Sequence, residues 1–247
     1  MFTNYHKKVI SFFIFARYFT NMRFILLFVF IGMSSMIQSQ INEIGVFAGG
    51  SNIMSDVGDD TYLNPSQLAY GLIYKWNRST RHSYRLSVKR SMLEADDKQS
   101  SISGRNLRNF KFENNITEIS VGFEFNFFDF DLHDFEYNTT PYVFTGINYI
   151  FYDEIYHTAS GYRIDKQTSA LSIPFVLGIK SRLASRFIIG AEIGARYSLT
   201  DNLDGSNPVD DRLARYRFGN LNSNDWYMFM GLTLTYTFGR NPCFCPY

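Results

Sequence analysis

The chain has 247 residues, a formal net charge of +1 and an aromatic content of 18%, with 25 Phe and 17 Tyr. The near-neutral charge, without a basic block or an acidic tail, excludes a chain that binds nucleic acid through its electrostatics. The length fits one large all-β domain or two small domains. Abundant rings suit a protein that places them at a membrane interface, although composition alone also fits an aromatic-rich soluble core.

The N-terminal region has the pattern of a secretory signal peptide. From Met22 a basic residue is followed by about ten apolar residues and then by small and polar ones. We expect translation to start at Met22 rather than Met1, and cleavage near Ser39/Gln40. Residues 1–39 then form the signal region and residues 40–247 the barrel domain. The alternative is a membrane anchor over residues 9–37, which three polar residues interrupt, Arg17, Asn21 and Arg23.

Alternation of apolar and polar residues with a period of two predicts eight strands. Most of them have the 9–11 residues or more that a tilted transmembrane strand requires. The predicted strands are Asn42–Gly50, Leu68–Asn77, Ser83–Leu93, Ile116–Phe128, Pro141–Phe151, Ser169–Lys180, Arg186–Leu199 and Trp226–Gly239.

The two faces of these strands differ in a way that indicates a membrane barrel. In Trp226–Gly239 one face carries Trp, Met, Leu, Tyr and Phe, and the other carries Gly and three Thr. Rings lie near the ends of the apolar faces, as the interfacial girdles of membrane barrels require. A soluble lipocalin-type barrel would show the inverse, and a soluble sandwich would favour long polar residues outside. We therefore predict an all-β fold, an eight-stranded antiparallel up-and-down transmembrane β-barrel.

The polar faces also carry charges that would point into the lumen. A barrel of eight strands is just wide enough for side chains to fill it. We interpret the charges as a structural network that neutralises itself inside the lumen, with glycines making room; a proton path or ligand site is the alternative. The predicted lumen charge network comprises Lys75, Arg85, Lys89, Glu118, Glu124, Lys180, Arg186, Glu192 and Arg196.

The predicted connections alternate between long and short, as in outer-membrane barrels with long loops outside and short periplasmic turns. Tyr152–Thr168 is predicted to be one of the long loops. The segment Asp129–Thr140 is an exception, because it is a longer periplasmic connection. Its acidic side chains are our candidates for partner contact: Asp129, Asp131, Asp134 and Glu136.

Catalytic or metal chemistry has little support in the sequence. His157 and Ser160 are the histidine and serine that lie nearest in sequence, and both are in a predicted loop. The Asp-rich loops are better explained by solvated carboxylates than by a calcium site. Cys243 and Cys245 have a poor spacing for a bridge within an extended chain and do not form a CxxC pair. We expect no enzyme activity, no cofactor, no metal and no small-molecule substrate.

Several stretches resemble the PorG-like family of outer-membrane barrels, components of the type IX secretion system in Bacteroidetes-type bacteria. The resemblance covers residues 42–245 and includes INEIGVFAGGSN, TPYVFTGINYIF and NSNDWYMFMGLTLTYTFGRNPC. Its most specific pieces are Arg105-Asn106-Leu107, Glu118 with the following EFNFF, Glu192-Ile193-Gly194, Arg196-Tyr197 and Thr200-Asp201. Asn202 stands where the family usually has a tyrosine.

The resemblance implies a non-enzymatic role at the cell outer membrane. Members of this family associate on their periplasmic side with a ring of a lipoprotein and a partner protein. The expected partners are therefore outer-membrane lipids and these periplasmic ring subunits, with contacts through the periplasmic turns. The alternative is a stand-alone surface barrel whose long loops bind an extracellular ligand or host surface.

Overall fold

The structure, a computed structural model, describes residues 41–58, 64–132 and 137–239. Eight strands dominate these residues. They are β1 (Ile41–Met54), β2 (Gln67–Asn77), β3 (His82–Asp96), β4 (Lys111–Asn126), β5 (Thr139–Thr158), β6 (Gly161–Ala184), β7 (Phe187–Ser198) and β8 (Trp226–Gly239).

The strands close into one antiparallel barrel in sequence order. Closure is made by β1 and β8, which pair from Ile41 opposite Gly239 to Met54 opposite Trp226. Each strand thus pairs on both sides, and no ladder edge remains along the closed part of the wall. The predicted fold class, an eight-stranded antiparallel barrel, is confirmed.

The hairpin of β5 and β6 corrects one sequence prediction. The sequence predicts a long loop over residues 152–168, but the two strands continue pairing to Thr158 opposite Gly161, which leaves a turn of only two residues. Gly161 adopts φ +118° at this turn, a conformation that favours glycine. The prediction was wrong because the register shifts between Glu154 and Ile155, so apolar and polar residues no longer alternate with a period of two along this segment.

The remaining connections lie at opposite ends of the barrel. The turns after β2, β4 and β6 are at the same end as Ile41 and Gly239, which we call the turn end. The loops after β1, β3 and β7 lie at the loop end and include a short helix, α1 (Ser103–Arg108), with 3-10 segments at Asp97–Gln99 and Asp211–Tyr216. Within residues 41–58, 64–132 and 137–239, no helix has the length and apolar character to cross a membrane.

Some sequence predictions fall outside the described residues. They include the signal region and the start and cleavage positions at Met22 and Ser39/Gln40, together with Cys243 and Cys245. Two of the acidic partner-contact candidates, Asp134 and Glu136, also lie outside.

Candidate functional site

The outer wall of the barrel is apolar across its middle. Alternate side chains point outward, and a band of large apolar groups on all eight strands is exposed. The band includes Ile44, Val46, Leu72, Leu86, Val121, Ile147, Phe175, Ile179, Ile189, Leu232 and Leu234. Monomeric soluble proteins rarely expose a contiguous apolar patch above a few hundred Å². A continuous apolar band facing outward is instead the surface of a transmembrane barrel.

Aromatic side chains border this band at both ends. At the turn end the rings of Trp76 and Tyr84 lie 5.4 Å apart, and at the loop end those of Tyr197 and Trp226 lie 5.0 Å apart. Trp226 and Phe238 mark the two borders on β8. They are twelve positions apart, which at about 3.3 Å per residue and a tilt of about 40° corresponds to roughly 30 Å along the barrel axis. That height matches the hydrocarbon core of a bilayer.

Glu124 on β4 is the centre of one buried charge cluster in the lumen. Its Oε1 accepts hydrogen bonds from Lys75 Nζ at 2.8 Å and Lys180 Nζ at 2.7 Å, and Arg85 Nη1 lies 3.6 Å from Oε2. All four side chains are buried. The ring of Tyr142 lies 5.2 Å from Lys75 Nζ and 5.4 Å from Lys180 Nζ, so its π face also stabilises these cations.

A second cluster surrounds Glu192 on β7. Arg85 donates from Nη1 and Nη2 to its two oxygens at 2.8 and 3.1 Å, and Lys89 Nζ lies 2.6 Å from Oε1. Tyr142 Oη donates to Oε2 at 3.0 Å. Because Arg85 faces both Glu192 and Glu124, it links the two clusters into one network. Such bidentate, charge-assisted contacts fix geometry as well as charge.

Glu118 on β4 completes the network. Its Oε2 accepts from Tyr227 Oη at 2.8 Å, Asn148 Nδ2 at 2.9 Å and Arg196 Nε at 3.2 Å. Arg196 also donates to the carbonyl of Gly194 at 2.5 Å. An added Cβ at Gly194 would lie 2.7 Å from Arg196 Nη1, so the glycine leaves space for the guanidinium.

The structure places all but one of the predicted lumen charges inside the barrel. The buried members are Lys75, Arg85, Lys89, Glu118, Glu124, Lys180, Glu192 and Arg196. Arg186 is the correction: it is exposed in the turn between β6 and β7, and its Nη1 donates to Tyr236 Oη at 3.0 Å. Alternation predicts that Arg186 points into the lumen. Because β7 begins only at Phe187, however, Arg186 lies outside the strand and its side chain lies outside the lumen.

Glu43 on β1 is a lumen carboxylate that the sequence reasoning missed. It is fully buried, with Oε1 accepting from Asn77 Nδ2 at 2.9 Å and Oε2 from Thr235 Oγ1 at 2.7 Å. The alternation along β1 could have identified it, because Glu43 lies on the same strand face as two glycines and the buried Phe47.

The segment after β4 closes the turn end of the lumen. Phe130 is buried there, and Lys180 Nζ lies 5.1 Å from its ring centroid. Asp129, a predicted partner contact, pairs with Arg81 at 2.8 Å, and these hydrogen bonds lower the pKa of Asp129 to about 2. Arg182 Nη2 donates to the backbone carbonyl of Asp131 at 2.9 Å. Asp129 and Asp131 therefore also help to hold this closing segment.

An apolar core fills the loop end of the lumen. It combines inward side chains of the strands with residues of the loops, which we call the cap: residues 55–58, 97–110 and 199–225. The core comprises Phe47, Ile53, Val57, Ala69, Ile73, Leu93, Ala95, Phe112, Ile116, Ile150, Tyr152, Ile155, Leu203, Tyr227 and Phe229. Val57 and Leu203 are cap residues with no exposed surface, so the cap is seated in the barrel mouth.

Buried carboxylates that accept from backbone N–H groups hold the cap loops together. Asp204 Oδ2 accepts from the N–H of Asp56 at 2.9 Å, and its Oδ1 accepts from that of Ser206 at 2.8 Å. Asp225 Oδ2 accepts from the N–H of Leu203 at 2.9 Å. Burial raises the pKa of Asp204 above its ordinary value. Burial, and then the nearby Asp204 charge, raises that of Asp225 well above its ordinary value.

Two further cap residues show opposite electrostatic environments. Burial raises the pKa of Asp201 to about 6. Burial alone would also raise the pKa of Asp97, but hydrogen bonds from Arg108 at 2.9 and 3.0 Å, and from the N–H groups of Gly58 and Phe110, leave it below its ordinary value. The cap thus combines a carboxylate that an arginine stabilises with others that rely on neutral donors.

His157 and Ser160 are not arranged as a catalytic pair. His157 Nε2 lies 2.8 Å from the carbonyl of Asp204, and its ring stacks on Phe110 at 4.5 Å. Ser160 Oγ instead lies 3.1 Å from Thr158 Oγ1 in the hairpin turn. Across the part of the chain that the structure describes, no group of three or more His, Cys, Asp or Glu side chains has a geometry that could hold a metal ion.

Solved structures of outer-membrane proteins are similar to this chain at low identity. Ail of Yersinia pestis, in complex with the heparin analogue sucrose octasulfate, is 12% identical, with 81% of this chain and 100% of that chain covered and a TM-score of 0.45. A major outer membrane protein from Thermus thermophilus is 13% identical, with the same coverage and a TM-score of 0.49. Neisserial surface protein A is 9% identical, with 81% and 96% covered and a TM-score of 0.44.

Sequence comparison identifies a family. No curated protein matches the chain. The family described as "Domain of unknown function (DUF6089)" matches residues 21–247, which includes the whole barrel. The chain belongs to this DUF6089 family.

Proposed function

We propose that the protein is a non-enzymatic outer-membrane β-barrel that acts as an anchoring or accessory component of the type IX protein secretion apparatus. The observation that carries the proposal is an apolar outer wall around a lumen filled by side chains. Such a barrel holds a position in the bilayer without offering an open path through it. The resemblance to PorG-like barrels is the reason for proposing the type IX secretion system. The surface that this role would use is the turn end.

The turn end is the surface that would meet periplasmic partners. Outer-membrane barrels have long loops outside and short turns in the periplasm. Here the long connections after β1, β3 and β7 all lie at the loop end, and the turns after β2 and β6 at the turn end are short. The longer segment between β4 and β5 exposes two rings at this end: Phe128 is 60% exposed and Tyr137 is 87% exposed. Aromatic side chains, Phe and Tyr among them, are enriched in protein interfaces relative to the rest of the surface. We propose that the side chains of Phe128 and Tyr137 contact the periplasmic assembly of lipoprotein and partner protein.

Contacts of the described residues on both sides of this segment support the proposal. Arg81 donates to both oxygens of Asp129 at 2.8 and 2.9 Å, and Asn138 Nδ2 donates to the Asp129 carbonyl at 2.8 Å. These contacts hold the two sides of the segment close to the barrel. A pre-organised surface loses little conformational entropy when it binds a partner.

The test is crosslinking of intact envelopes that carry the double variant Phe128→Ser, Tyr137→Ser. We expect the ring subunits to be lost from the purified complexes, while the barrel keeps its heat-modifiable mobility on gels. Leu107→Ser is the matched control, because Leu107 is also 87% exposed but lies in α1 at the loop end. If ring subunits copurify with the double variant at the normal yield, the proposed contact is wrong.

A second candidate function is a stand-alone surface barrel that binds an extracellular ligand through its cap. The observation that favours it is the exposure of apolar side chains at the loop end, where Leu107, Ile164 and Val209 are all more than half exposed. Deletion of the gene separates the two functions. Loss of secretion of proteins with the dedicated C-terminal signal supports the anchoring role, and normal secretion with altered adhesion supports the surface role.

A further inference from the structure

A polar cleft of about 480 Å³ opens on the outer wall between β3 and β6. It lies towards the loop end, where the apolar band stops. Arg90, Asp153 and Gln167 contribute charged and hydrogen-bonding groups to it, and Thr117, Phe151 and Ser169 also line it. The cleft is therefore unlike the rest of the wall.

Strand register fixes the depth of the cleft. Arg90, Thr117, Phe151 and Ser169 stand side by side across β3 to β6. The next outward row towards the middle of the barrel is Val88, Ile119, Tyr149 and Leu171. Tyr149 marks the border, because its ring lies in the apolar row while its Oη lies 2.6 Å from Ser169 Oγ in the polar row. Tyr rings with this orientation typically lie at headgroup level.

Arg90 has a free guanidinium at this depth, as far as the described residues go. Its side chain is exposed, and no hydrogen bond or ion pair joins it to any residue of the described ranges. A guanidinium at the edge of the hydrocarbon region is stabilised by an anionic oxygen acceptor, and phosphate is an acceptor that its fork geometry fits. The groups beside it, Thr117 and Ser169, are neutral hydrogen-bonding hydroxyls.

Asp153 adds a second charge one row further from the apolar band. It stands opposite Gln167 in the register of β5 and β6. A ligand that spans both rows would place its anionic group near the bilayer, at Arg90, and a hydrogen-bond donor further out, at Asp153. Membrane lipids with a phosphate next to the acyl glycerol and an amine or hydroxyl beyond it have this order of groups.

We propose that the cleft binds the headgroup of an outer-leaflet lipid, with the lipid phosphate on Arg90 and the distal amine or hydroxyl on Asp153. The acyl chains of this lipid lie along the apolar row at Val88 and Ile119. This inference rests on the proposed placement of the barrel in a membrane. It adds a specific lipid site to a wall that otherwise contacts hydrocarbon without selectivity.

Native mass spectrometry of the full chain, folded in detergent micelles doped with phosphatidylethanolamine, tests the site. Diacylglycerol with the same acyl chains is the probe that lacks the phosphate. We expect wild type to retain a phosphatidylethanolamine adduct that diacylglycerol does not form, and Arg90→Gln to reduce this adduct at least about five-fold, the equivalent of roughly 1 kcal/mol. Arg163→Gln is the matched control, because Arg163 is an exposed arginine at the tip of the β5–β6 hairpin, outside the cleft. Arg90→Lys keeps the charge and should retain part of the adduct.

Flotation with phosphatidylethanolamine vesicles separates this inference from the proposed function. If the chain floats with vesicles but Arg90→Gln and wild type retain equal adducts, the lipid site is wrong and the membrane placement stands. Equal retention of diacylglycerol and phosphatidylethanolamine also overturns the site. If folded wild type does not associate with vesicles, both proposals are wrong. Heat-modifiable mobility verifies that each variant is folded.

Discussion

The lumen network and the cap both bury carboxylates, but they stabilise them in different ways. In the lumen, Glu118, Glu124 and Glu192 contact buried cations, whereas Glu43 accepts from Asn77 and Thr235. The buried cations are Lys75, Arg85, Lys89, Lys180 and Arg196. In the cap, Asp204 and Asp225 accept hydrogen bonds from backbone N–H groups. A buried charge is costly unless it is paired and hydrogen-bonded. The lumen has both forms of compensation, and these two cap carboxylates rely on the second.

This difference assigns different roles to the two regions. The lumen network crosslinks strands that are far apart in sequence, as Arg85 on β3 does with Glu192 on β7. It therefore acts as a rigid structural filling. In the cap, Asp204 connects two loops and Asp225 connects the two ends of one loop. The raised pKa values of both make the cap sensitive to protons. We expect mutations to affect the whole barrel in the first region and only the loops in the second.

The largest expected effect is that of Glu124→Gln. Removing this charge leaves Lys75, Lys180 and Arg85 buried together with one carboxylate fewer, and breaking a buried pair typically costs about 3–5 kcal/mol. Urea unfolding in micelles should show a loss of this size in the global free energy of unfolding. Arg186→Gln is the control, since the structure places Arg186 outside the network. Equal stability of the Glu124 variant and wild type would contradict a structural role for the lumen charges.

A smaller and local effect is expected for Gly219→Ala in the cap. Gly219 has φ +77°, and an added Cβ would collide with the carboxylate of Asp56, which accepts from the N–H of Asn220 at 2.7 Å. Strain of this kind costs about 1–3 kcal/mol. Limited proteolysis should cleave residues 199–225 faster, without a change in global unfolding.

Gly104→Ala is the matched control for this variant. Gly104 lies in α1, and an added Cβ there meets no atom within 4 Å. Its substitution should leave proteolysis unchanged or slow it slightly, because Ala favours a helix by up to about 1 kcal/mol over Gly. If both variants are cleaved at the wild-type rate, the loop after β7 does not depend on its contact with Asp56.

The pH dependence of the cap is the most subtle expected effect. A carboxylate with a raised pKa binds its proton more tightly in the folded cap than in the open cap. The stability of the cap therefore falls as the pH rises from the ordinary pKa of 3.8 through the raised pKa, which is about 6 for Asp201. Burial lowers the pKa of His157, which acts in the opposite direction below its ordinary value of 6.5.

Asp225→Asn isolates the carboxylate contribution. The amide oxygen can still accept from the Leu203 N–H, so the variant removes the charge and keeps the contact. Because burial raises the pKa of Asp225, hydrogen exchange of the cap should slow at neutral pH in this variant and stay unchanged in acid. An equal effect at both pH values would show that the Asp225 charge does not control the cap.

The sequence predicts the wall far better than it predicts the cap. Strict alternation identifies β8 at its observed bounds and assigns Glu192 and Arg196 to the lumen, because side-chain direction in a strand has a period of two. Alternation cannot define where a strand begins or ends. It therefore misplaces Arg186 and misses the parts of β5 and β6 at the loop end. Cap contacts such as Asp56 with Asn220 join residues 164 positions apart and follow no local period.

The placement of the wall in lipid is tested most directly by its two tryptophans. Trp76 and Trp226, the only Trp residues of the chain, lie on outward positions at opposite borders of the apolar band. Single-tryptophan variants, Trp76→Phe and Trp226→Phe, should be folded into vesicles that contain lipids brominated at different depths. We predict that each remaining tryptophan is quenched strongly, and more by bromines near the headgroups than by bromines at the bilayer centre. Fluorescence that brominated lipids do not quench would contradict the account of this protein as a membrane-spanning barrel.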